Sequence, residues 1–149
     1  FTELAVDSIF MMPHLGVLST VLPEAAAEVF ERDCLVPLGM AIAPKGKIDA
    51  KTTELATISG LPGGDVVLRP GDLKLVPMGV GECCEVAVRP ARGFDMGAGA
   101  GREVTREVSG GVVGLILDGR GRPFTPAADA ATRVGQLREW NAALGIPSA

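Results

Sequence analysis

The fold is decided by residues 110–123, GGVVGLILDGRGRP, in which an apolar segment leads directly into a basic turn. The segment Val112–Leu117 is short for a helix and rich in β-branched side chains, which predicts a buried strand. The dipeptide Asp118-Gly119 readily adopts the positive φ angles of a tight hairpin turn. We therefore expect a core strand with a charged tip, and we explain Asp118 by the turn.

The rest of the chain is interrupted by turn-forming residues. The 149 residues include 20 Gly and 11 Pro, too many for a helical bundle, while 47% of the residues are hydrophobic. Cys84, Val86 and Val88 alternate as in a half-buried strand. These patterns predict a mainly β fold, an antiparallel barrel or sandwich of short strands, forming a single domain over residues 1–149. The expected strands are 6–12, 38–43, 54–59, 65–69, 72–76, 83–89, 103–108 and 112–117.

Two helices flank this β region. Pro23 suits a first helical position and precedes an apolar stripe, which predicts a short N-terminal-side helix over Pro23–Arg32. At the other end, Thr125 can cap and Pro126 can begin a C-terminal helix that runs to Leu144. We expect Trp140 to be at least partly buried, on one apolar stripe with Val134, Leu137 and Leu144.

Charge and composition limit the kinds of partner that we expect for this chain. The net charge of −4 argues against a nucleic-acid partner. No apolar run reaches the roughly 18 residues that span a bilayer, and the N-terminus lacks the basic start of a signal peptide, so we expect a cytoplasmic domain with no membrane partner. Cys34, Cys83 and Cys84 lack metal-ligand spacing and are interpreted as reduced packing residues.

The chain has one local basic feature and one glycine-rich element. The basic feature contains Arg89, Arg92, Arg120 and Arg122, which either form salt bridges on a solvated face or bind an anion. The glycine-rich element contains Asp95, Gly97, Gly99 and Gly101, and its amides could cradle a phosphate. A strand is expected after this loop and no Lys-Ser or Lys-Thr completes a P-loop, which favours a flexible connection. The weak candidate ligand site is Arg92, Asp95, Gly97, Gly99, Gly101, Arg120 and Arg122.

Candidates for catalysis are few. The single histidine, His14, excludes most Ser-His-Asp and multi-histidine metal schemes within this chain, and we interpret it as part of a turn at His14–Gly16 that has a structural or a functional role. We assign no catalytic residue and no metal ligand. An enzyme site remains open only if another domain completes it, with His14 and Asp33 as the contribution of this chain.

Several motifs together resemble the C-terminal part of the glutamate mutase accessory proteins, the GlmL or MutL family, which is distinct from the mismatch-repair proteins of the same name. The motifs are MPHLGVL at 12–18, DCL at 33–35, RPARGFD at 89–95, the stretch 110–123 and the final helix. The resemblance covers nearly the whole chain. It implies a longer protein with an N-terminal ATPase part related to actin and Hsp70, which assists adenosylcobalamin-dependent glutamate mutase as a reactivating chaperone.

This resemblance implies that ATP and Mg²⁺ belong to the other part of the protein and that this chain holds no cofactor. Because Phe1 is not an initiator Met, we expect the chain to be the C-terminal piece of a longer protein. The first hypothesis is a non-catalytic accessory domain that contacts the rest of its own chain or a mutase subunit. The alternatives are a small-anion or nucleotide-binding module using the Gly97–Gly101 loop and the Arg cluster, and an enzyme site shared with another domain.

Two observations distinguish these hypotheses. An exposed apolar patch favours the accessory domain, whereas a pocket joining the glycine loop to Arg92 and Arg120 favours the anion module. We expect no ATPase turnover by this chain alone. We also expect no tight nucleotide binding, because the glycine loop lacks the Lys and hydroxyl partners that hold phosphate and Mg²⁺.

Overall fold

The computed structural model describes residues 1–147 of the chain. These residues contain eight strands and four helical segments, joined by loops. The strands are β1 Thr2–Asp7, β2 Leu35–Ile42, β3 Ala56–Ser59, β4 Val66–Leu68, β5 Leu73–Val76, β6 Cys83–Pro90, β7 Val104–Ser109 and β8 Gly114–Asp118. The helices are α1 Met12–Ser19, α2 Pro23–Val29, a π-helical segment Phe30–Cys34 that continues α2, and α3 Ala130–Ala143. The predicted mainly β fold with a short helix near the N-terminus and a C-terminal helix is confirmed.

The strands form two open four-stranded sheets. The first sheet has the order β1-β2-β8-β5 and the second has the order β4-β3-β6-β7. Neighbouring strands are antiparallel except for β2 and β8, which are parallel. The chain between β2 and β8 contains the whole second sheet, which supplies the long connection that a parallel pair needs. The fold is therefore a sandwich, and the barrel alternative is wrong.

The core lies between the two sheets. Alternate side chains of the strands share one face of a sheet, and those on the inner faces join a single buried cluster. Its members include Met40, Ile42, Leu115 and Leu117 from the first sheet and Ile58, Leu68, Val86, Val88 and Val108 from the second. The predicted buried strand is confirmed for its second half, because Leu115 and Leu117 are fully buried and β8 has a strand on each side. Its expected first residues, Val112 and Val113, lie before β8 and are 65% and 39% exposed.

The N-terminal segment differs from its prediction. The strand ends at Asp7, and residues 12–19 form helix α1 in place of the expected turn at His14–Gly16. Pro13 lies in the first turn of this helix, where the missing N–H has no partner to lose. The expected strand over residues 6–12, which would end just before Pro13, was therefore wrong, since this proline lies at the start of a helix.

The C-terminal helix begins later than predicted. Its N-cap is Asp129, whose carboxylate accepts a hydrogen bond from the Thr132 amide at 2.7 Å. The predicted cap at Thr125 and helix start at Pro126 are wrong, because the acidic side chain of Asp129, four residues after Thr125, satisfies a free amide of the first turn. Val134 and Leu137 are 44% and 53% exposed, so the expected apolar stripe does not face the core.

The burial of Trp140 and of the three cysteines can also be compared with the predictions. Trp140 is half-buried, as predicted, and its indole N–H donates to the carbonyl oxygen of Gly71 at 3.1 Å. Cys34 is buried, as expected of a packing residue, whereas Cys83 is exposed. Cys83 and Cys84 alternate on β6, so only one of the two can face the core.

The parallel pair of strands depends on glycine. Gly39 of β2 lies opposite Gly114 of β8, and its φ angle of 128° is one that other residues rarely adopt. A Cβ atom on Gly39 would lie 1.9 Å from the carbonyl oxygen of Gly114. The two central strands can therefore approach each other only without a side chain at this point.

Replacing Gly39 with Ala should destabilise the protein by more than about 3 kcal/mol, because the new methyl group meets backbone and the φ angle is strained. Urea unfolding measures the change. The matched control is Gly63→Ala, where nothing lies within 4 Å of an added Cβ, and it should change the free energy of unfolding by less than about 0.5 kcal/mol. Equal effects of the two substitutions would contradict this account of the β2–β8 contact.

Candidate functional site

A buried carboxylate ends the central strand β8. The side chain of Asp118 is 2% exposed, and Oδ1 and Oδ2 accept hydrogen bonds from Nε and Nη2 of Arg120, both at 2.9 Å. Oδ1 also accepts from the backbone amide of Arg120 at 3.0 Å, and Oδ2 accepts from Nη2 of Arg122. The buried acceptor thus has a charged donor on each oxygen.

This arrangement corrects the interpretation of Asp118 as a turn residue. The positive φ angle lies at Gly121, at 97°, and not within Asp118-Gly119. Gly119 is required for a different reason, because a Cβ there would lie 2.3 Å from the carbonyl oxygen of Arg69. The chain after β8 therefore packs closely against the residues before β5 and does not turn back as a hairpin.

Electrostatics follow from this geometry. Burial raises the pKa of the Asp118 carboxyl, but the hydrogen bonds from Arg120 and the positive charges of Arg120 and Arg122 outweigh that effect, so the pKa lies below its ordinary value. The hydrogen bonds to Asp118 in turn raise the pKa of the Arg120 guanidinium. Asp118 is consequently ionised and forms ion pairs with both guanidinium groups at the end of β8.

Arg120 also joins the strand to two aromatic rings. Its guanidinium carbon lies 5.0 Å from the centre of the Trp140 ring and 5.7 Å from that of Phe124. The two rings contact each other edge to face, with centres 5.7 Å apart. Because cations are attracted to aromatic faces, Arg120 links β8 to the loop at Phe124 and to helix α3.

These side chains line a half-open cleft of about 880 Å³. Its residues are Lys45, Gly46, Lys47, Ile48, Pro70, Gly71, Arg120, Gly121, Arg122, Pro123, Phe124, Thr125, Gln136 and Trp140. Backbone hydrogen bonds from residue 45 to Asp95 and from Gly46 to Arg122 hold the 45–47 loop beside the arginines. Lys45 and Lys47 were not among the predicted ligand residues.

The glycine loop and Arg92 lie elsewhere. The Asp95 carboxylate accepts hydrogen bonds from the amides of Gly97 at 2.7 Å and Gly99 at 2.9 Å, and these bonds lower the pKa of Asp95. The loop amides proposed for phosphate are therefore already bonded to a carboxylate of the chain itself, and the amide of Gly101 donates to Phe94. Arg92 borders a separate depression with Lys51 and Glu54. Of the predicted ligand residues, the cleft brings together Arg120 and Arg122.

His14 and Asp33 lie on the helical segments at the N-terminal end. His14 is exposed on α1, and Asp33 is exposed on the π-helical segment, where its carboxylate accepts a hydrogen bond from Nε of Arg32 at 2.8 Å. Asp33 is thus paired with its own neighbour in sequence. The structure gives His14 a place on a surface helix and not in a turn.

The same end of the molecule carries a concentration of exposed apolar side chains, which we call the apolar surface. It consists of Ile9, Phe10, Met12, Val17, Val21 and Leu22, each at least 54% exposed. Helix α1 contains no Asp, Glu, Lys or Arg, and Leu15 is its one buried residue. Sequence reasoning expected residues 6–12 to form a strand and therefore missed this surface.

Phe10 is the most exposed member of this surface, at 86%, and has a φ angle of 55°. The Asp7 carboxylate accepts hydrogen bonds from the amides of Ile9 and Phe10, both at 3.2 Å. The amide and hydroxyl of Ser8 both donate to the carbonyl oxygen of Cys34, which fixes the segment to the start of β2. These bonds hold Phe10 in a left-handed conformation that is rare for an aromatic residue.

The segment of sequence that contains the apolar surface is acidic. Residues 1–34 contain six Asp and Glu but one Arg, so this segment has a formal charge of −5 and the rest of the chain is close to neutral. Arg32 is itself paired with Glu28 and Asp33. The apolar surface therefore lies in a negatively charged part of the molecule.

Comparisons of the chain with protein-family models, with curated proteins and with solved structures give no match. Within residues 1–147, none of the helices has the length and apolar character needed to cross a bilayer.

Replacing Asp118 with Asn should lower stability most at neutral pH. The folded-state pKa of Asp118 lies below its unfolded value, so the ionised carboxylate stabilises the fold above about pH 4, and this contribution is lost as the pH falls through the folded pKa. We expect a loss of about 3 kcal/mol at neutral pH, because two cations lose a buried partner. Urea unfolding of both proteins across the acid range measures the difference, which should shrink toward low pH.

The control for this measurement is Asp65→Asn, which changes an exposed carboxylate in the loop before β4. It should alter the free energy of unfolding by less than about 0.5 kcal/mol. If the Asp118→Asn protein were destabilised equally at every pH, ionisation of Asp118 would not be the source of its contribution.

Proposed function

We propose that this chain is a non-catalytic accessory domain that docks onto a partner protein through the apolar surface. The observation that carries the proposal is Phe10, an aromatic side chain held outward at 86% exposure in a strained backbone conformation. Such strain costs about 1–3 kcal/mol and is found mainly at functional positions. The folded chain therefore maintains an exposed anchor at a cost to its own stability.

The surroundings of Phe10 support docking. Val17 on α1 and Val21 in the turn that follows α1 are 72% and 75% exposed, so both add apolar area to this surface. Aromatic anchors within an apolar surface supply most of the affinity of many protein interfaces. The helix does not bury these side chains against either sheet, so a partner is the surface that would remove them from water.

Charge indicates the chemistry of that partner. The acidic residues of the segment 1–34 favour a protein surface that has an apolar centre and a rim of Lys and Arg. The resemblance to the glutamate mutase accessory proteins supports a subunit of an adenosylcobalamin-dependent mutase as this partner, in the cytoplasm. ATP hydrolysis then belongs to the ATPase part of the longer protein, and this chain contributes contact and not turnover.

The test is the affinity of this chain for purified mutase subunits, measured by calorimetry. The double variant Val17→Ser/Val21→Ser should weaken binding at least about thirtyfold, because two exposed valines leave the interface. The matched control is Val80→Ser/Val112→Ser, which changes two valines outside the apolar surface that are each 65% exposed, and its affinity should be unchanged. Both variants should retain the wild-type free energy of unfolding within about 0.5 kcal/mol.

Phe10→Asn separates binding from folding. Asn tolerates the left-handed conformation better than Phe, so this variant should be at least as stable as the wild type. Its affinity for the mutase subunit should nevertheless fall, because the anchor is removed. Undiminished affinity in both Phe10→Asn and Val17→Ser/Val21→Ser would overturn the docking surface. A different result would be that the chain binds the ATPase part of its own protein, that these variants lose that binding, and that the chain does not bind mutase subunits. That result would overturn the mutase subunit as the partner.

A further inference from the structure

The cleft beside Arg120 differs in charge from the rest of the molecule. Four of its lining residues are cationic, namely Lys45, Lys47, Arg120 and Arg122, and none of the lining residues is acidic within the described chain. The one carboxylate that holds the arginines, Asp118, is buried behind them and offsets one of the four charges. In a chain of net charge −4, this is a local concentration of positive charge that attracts anions.

The two arginines are held in place before any ligand arrives. Asp118 fixes Nε and Nη2 of Arg120 and Nη2 of Arg122, while the guanidinium groups remain partly exposed, with side chains 28% and 39% accessible. A guanidinium has five N–H donors, so bonding to Asp118 leaves donors on each. Because these side chains are already ordered, binding an anion costs less conformational entropy. Asp118 is thus a positioning residue for the cleft.

The aromatic wall of the cleft lies beside Arg120, whose guanidinium contacts both of its rings. Phe124 is 43% exposed and Trp140 is half-buried, and Ile48 and Pro70 extend the apolar lining. A simple inorganic anion would use the four cations but not this wall. A flat ring can stack on an aromatic side chain while an attached anionic group reaches the cations. The volume of about 880 Å³ is large enough for both parts.

We propose that this cleft binds a phosphate ester whose organic part contains a planar aromatic ring, as in a nucleotide, where a sugar joins the two. The phosphate contacts Arg120, Arg122, Lys45 and Lys47, and the ring lies against Phe124 and Trp140. Arginine suits phosphate because its planar donors match the phosphate oxygens in pairs. This site is separate from the glycine loop, whose amides bond to Asp95, and it is independent of docking through the apolar surface.

The chain offers a direct reporter of binding, because Trp140 is its sole tryptophan and lines the cleft. Its fluorescence, excited where adenine does not absorb, is titrated with adenosine diphosphate, phenyl phosphate, adenosine and inorganic pyrophosphate. We expect a saturable change with adenosine diphosphate and an affinity at least about tenfold higher than for adenosine or pyrophosphate, since only the first has both parts. If phenyl phosphate bound as tightly as adenosine diphosphate, the site would be assigned to aromatic phosphates in general. If phenyl phosphate bound more weakly, the site would be assigned to nucleotides.

The variant Lys45→Gln/Lys47→Gln tests the contribution of charge. Both lysines are exposed, so the protein should fold, and the affinity for adenosine diphosphate should fall about tenfold or more and depend less on salt. The matched control is Lys51→Gln/Arg92→Gln, which removes two exposed positive charges from the separate depression. Its affinity should equal that of the wild type. Calorimetry with Trp140→Phe, which keeps a ring in the wall, should show binding retained.

Several results would overturn the proposal. The absence of a saturable change with adenosine diphosphate would do so, as would pyrophosphate binding as tightly, because the aromatic wall would then contribute nothing. Equal losses in the two double variants would attribute binding to the overall charge and not to the cleft. Tighter binding of a short single-stranded oligonucleotide than of adenosine diphosphate would replace the small-molecule ligand with a nucleic acid.

Discussion

The ion pair between Asp118 and Arg120 is the interaction on which the C-terminal part of the structure depends. The buried position of β8 fixes Asp118 at the end of the central strand, and Asp118 fixes the guanidinium of Arg120. Arg120 then contacts Trp140, which belongs to a helix with no fully buried residue among those described. Since α3 has little apolar area in the core, its position follows from this short chain of polar and aromatic contacts.

The overall charge of the molecule conceals two surfaces of opposite character. The N-terminal segment combines exposed apolar side chains with a formal charge of −5, whereas the cleft gathers four cations and two aromatic rings from several parts of the chain. Each surface is held by hydrogen bonds to a carboxylate. Asp7 accepts them from the turn before α1, and Asp118 accepts them from the arginines of the cleft. The two proposals for this protein therefore concern different surfaces and fail or succeed separately.

Local patterns predicted the elements whose structure is set by nearby residues. Alternating side chains located β6, and Pro23 located the start of α2, because burial on one face and the geometry of proline are local properties. The same reasoning failed at Pro13, which is compatible with a strand end and with a helix start, and tertiary packing of the helical segments selects the latter.

The site was harder to predict than the fold. Asp118 and Arg120 are close in sequence, yet the sequence does not show that the carboxylate is buried, because burial comes from the neighbouring strands β2 and β5. Lys45 and Lys47 reach the cleft through backbone bonds to residues 95 and 122, contacts between distant parts of the chain. The apolar surface was missed because an apolar run next to a strand is ordinarily buried, and here it is exposed.

The most direct test of the central claim is hydrogen exchange of the Trp140 indole proton, observed as a single resonance by NMR. In the wild type this proton is hydrogen-bonded to the carbonyl oxygen of Gly71. If Asp118 positions Arg120 and, through it, Trp140, then the Asp118→Asn protein should exchange this proton at least about tenfold faster, while the amides of β2 and β8 in the core remain protected. Unchanged indole protection in a folded Asp118→Asn protein would contradict the account.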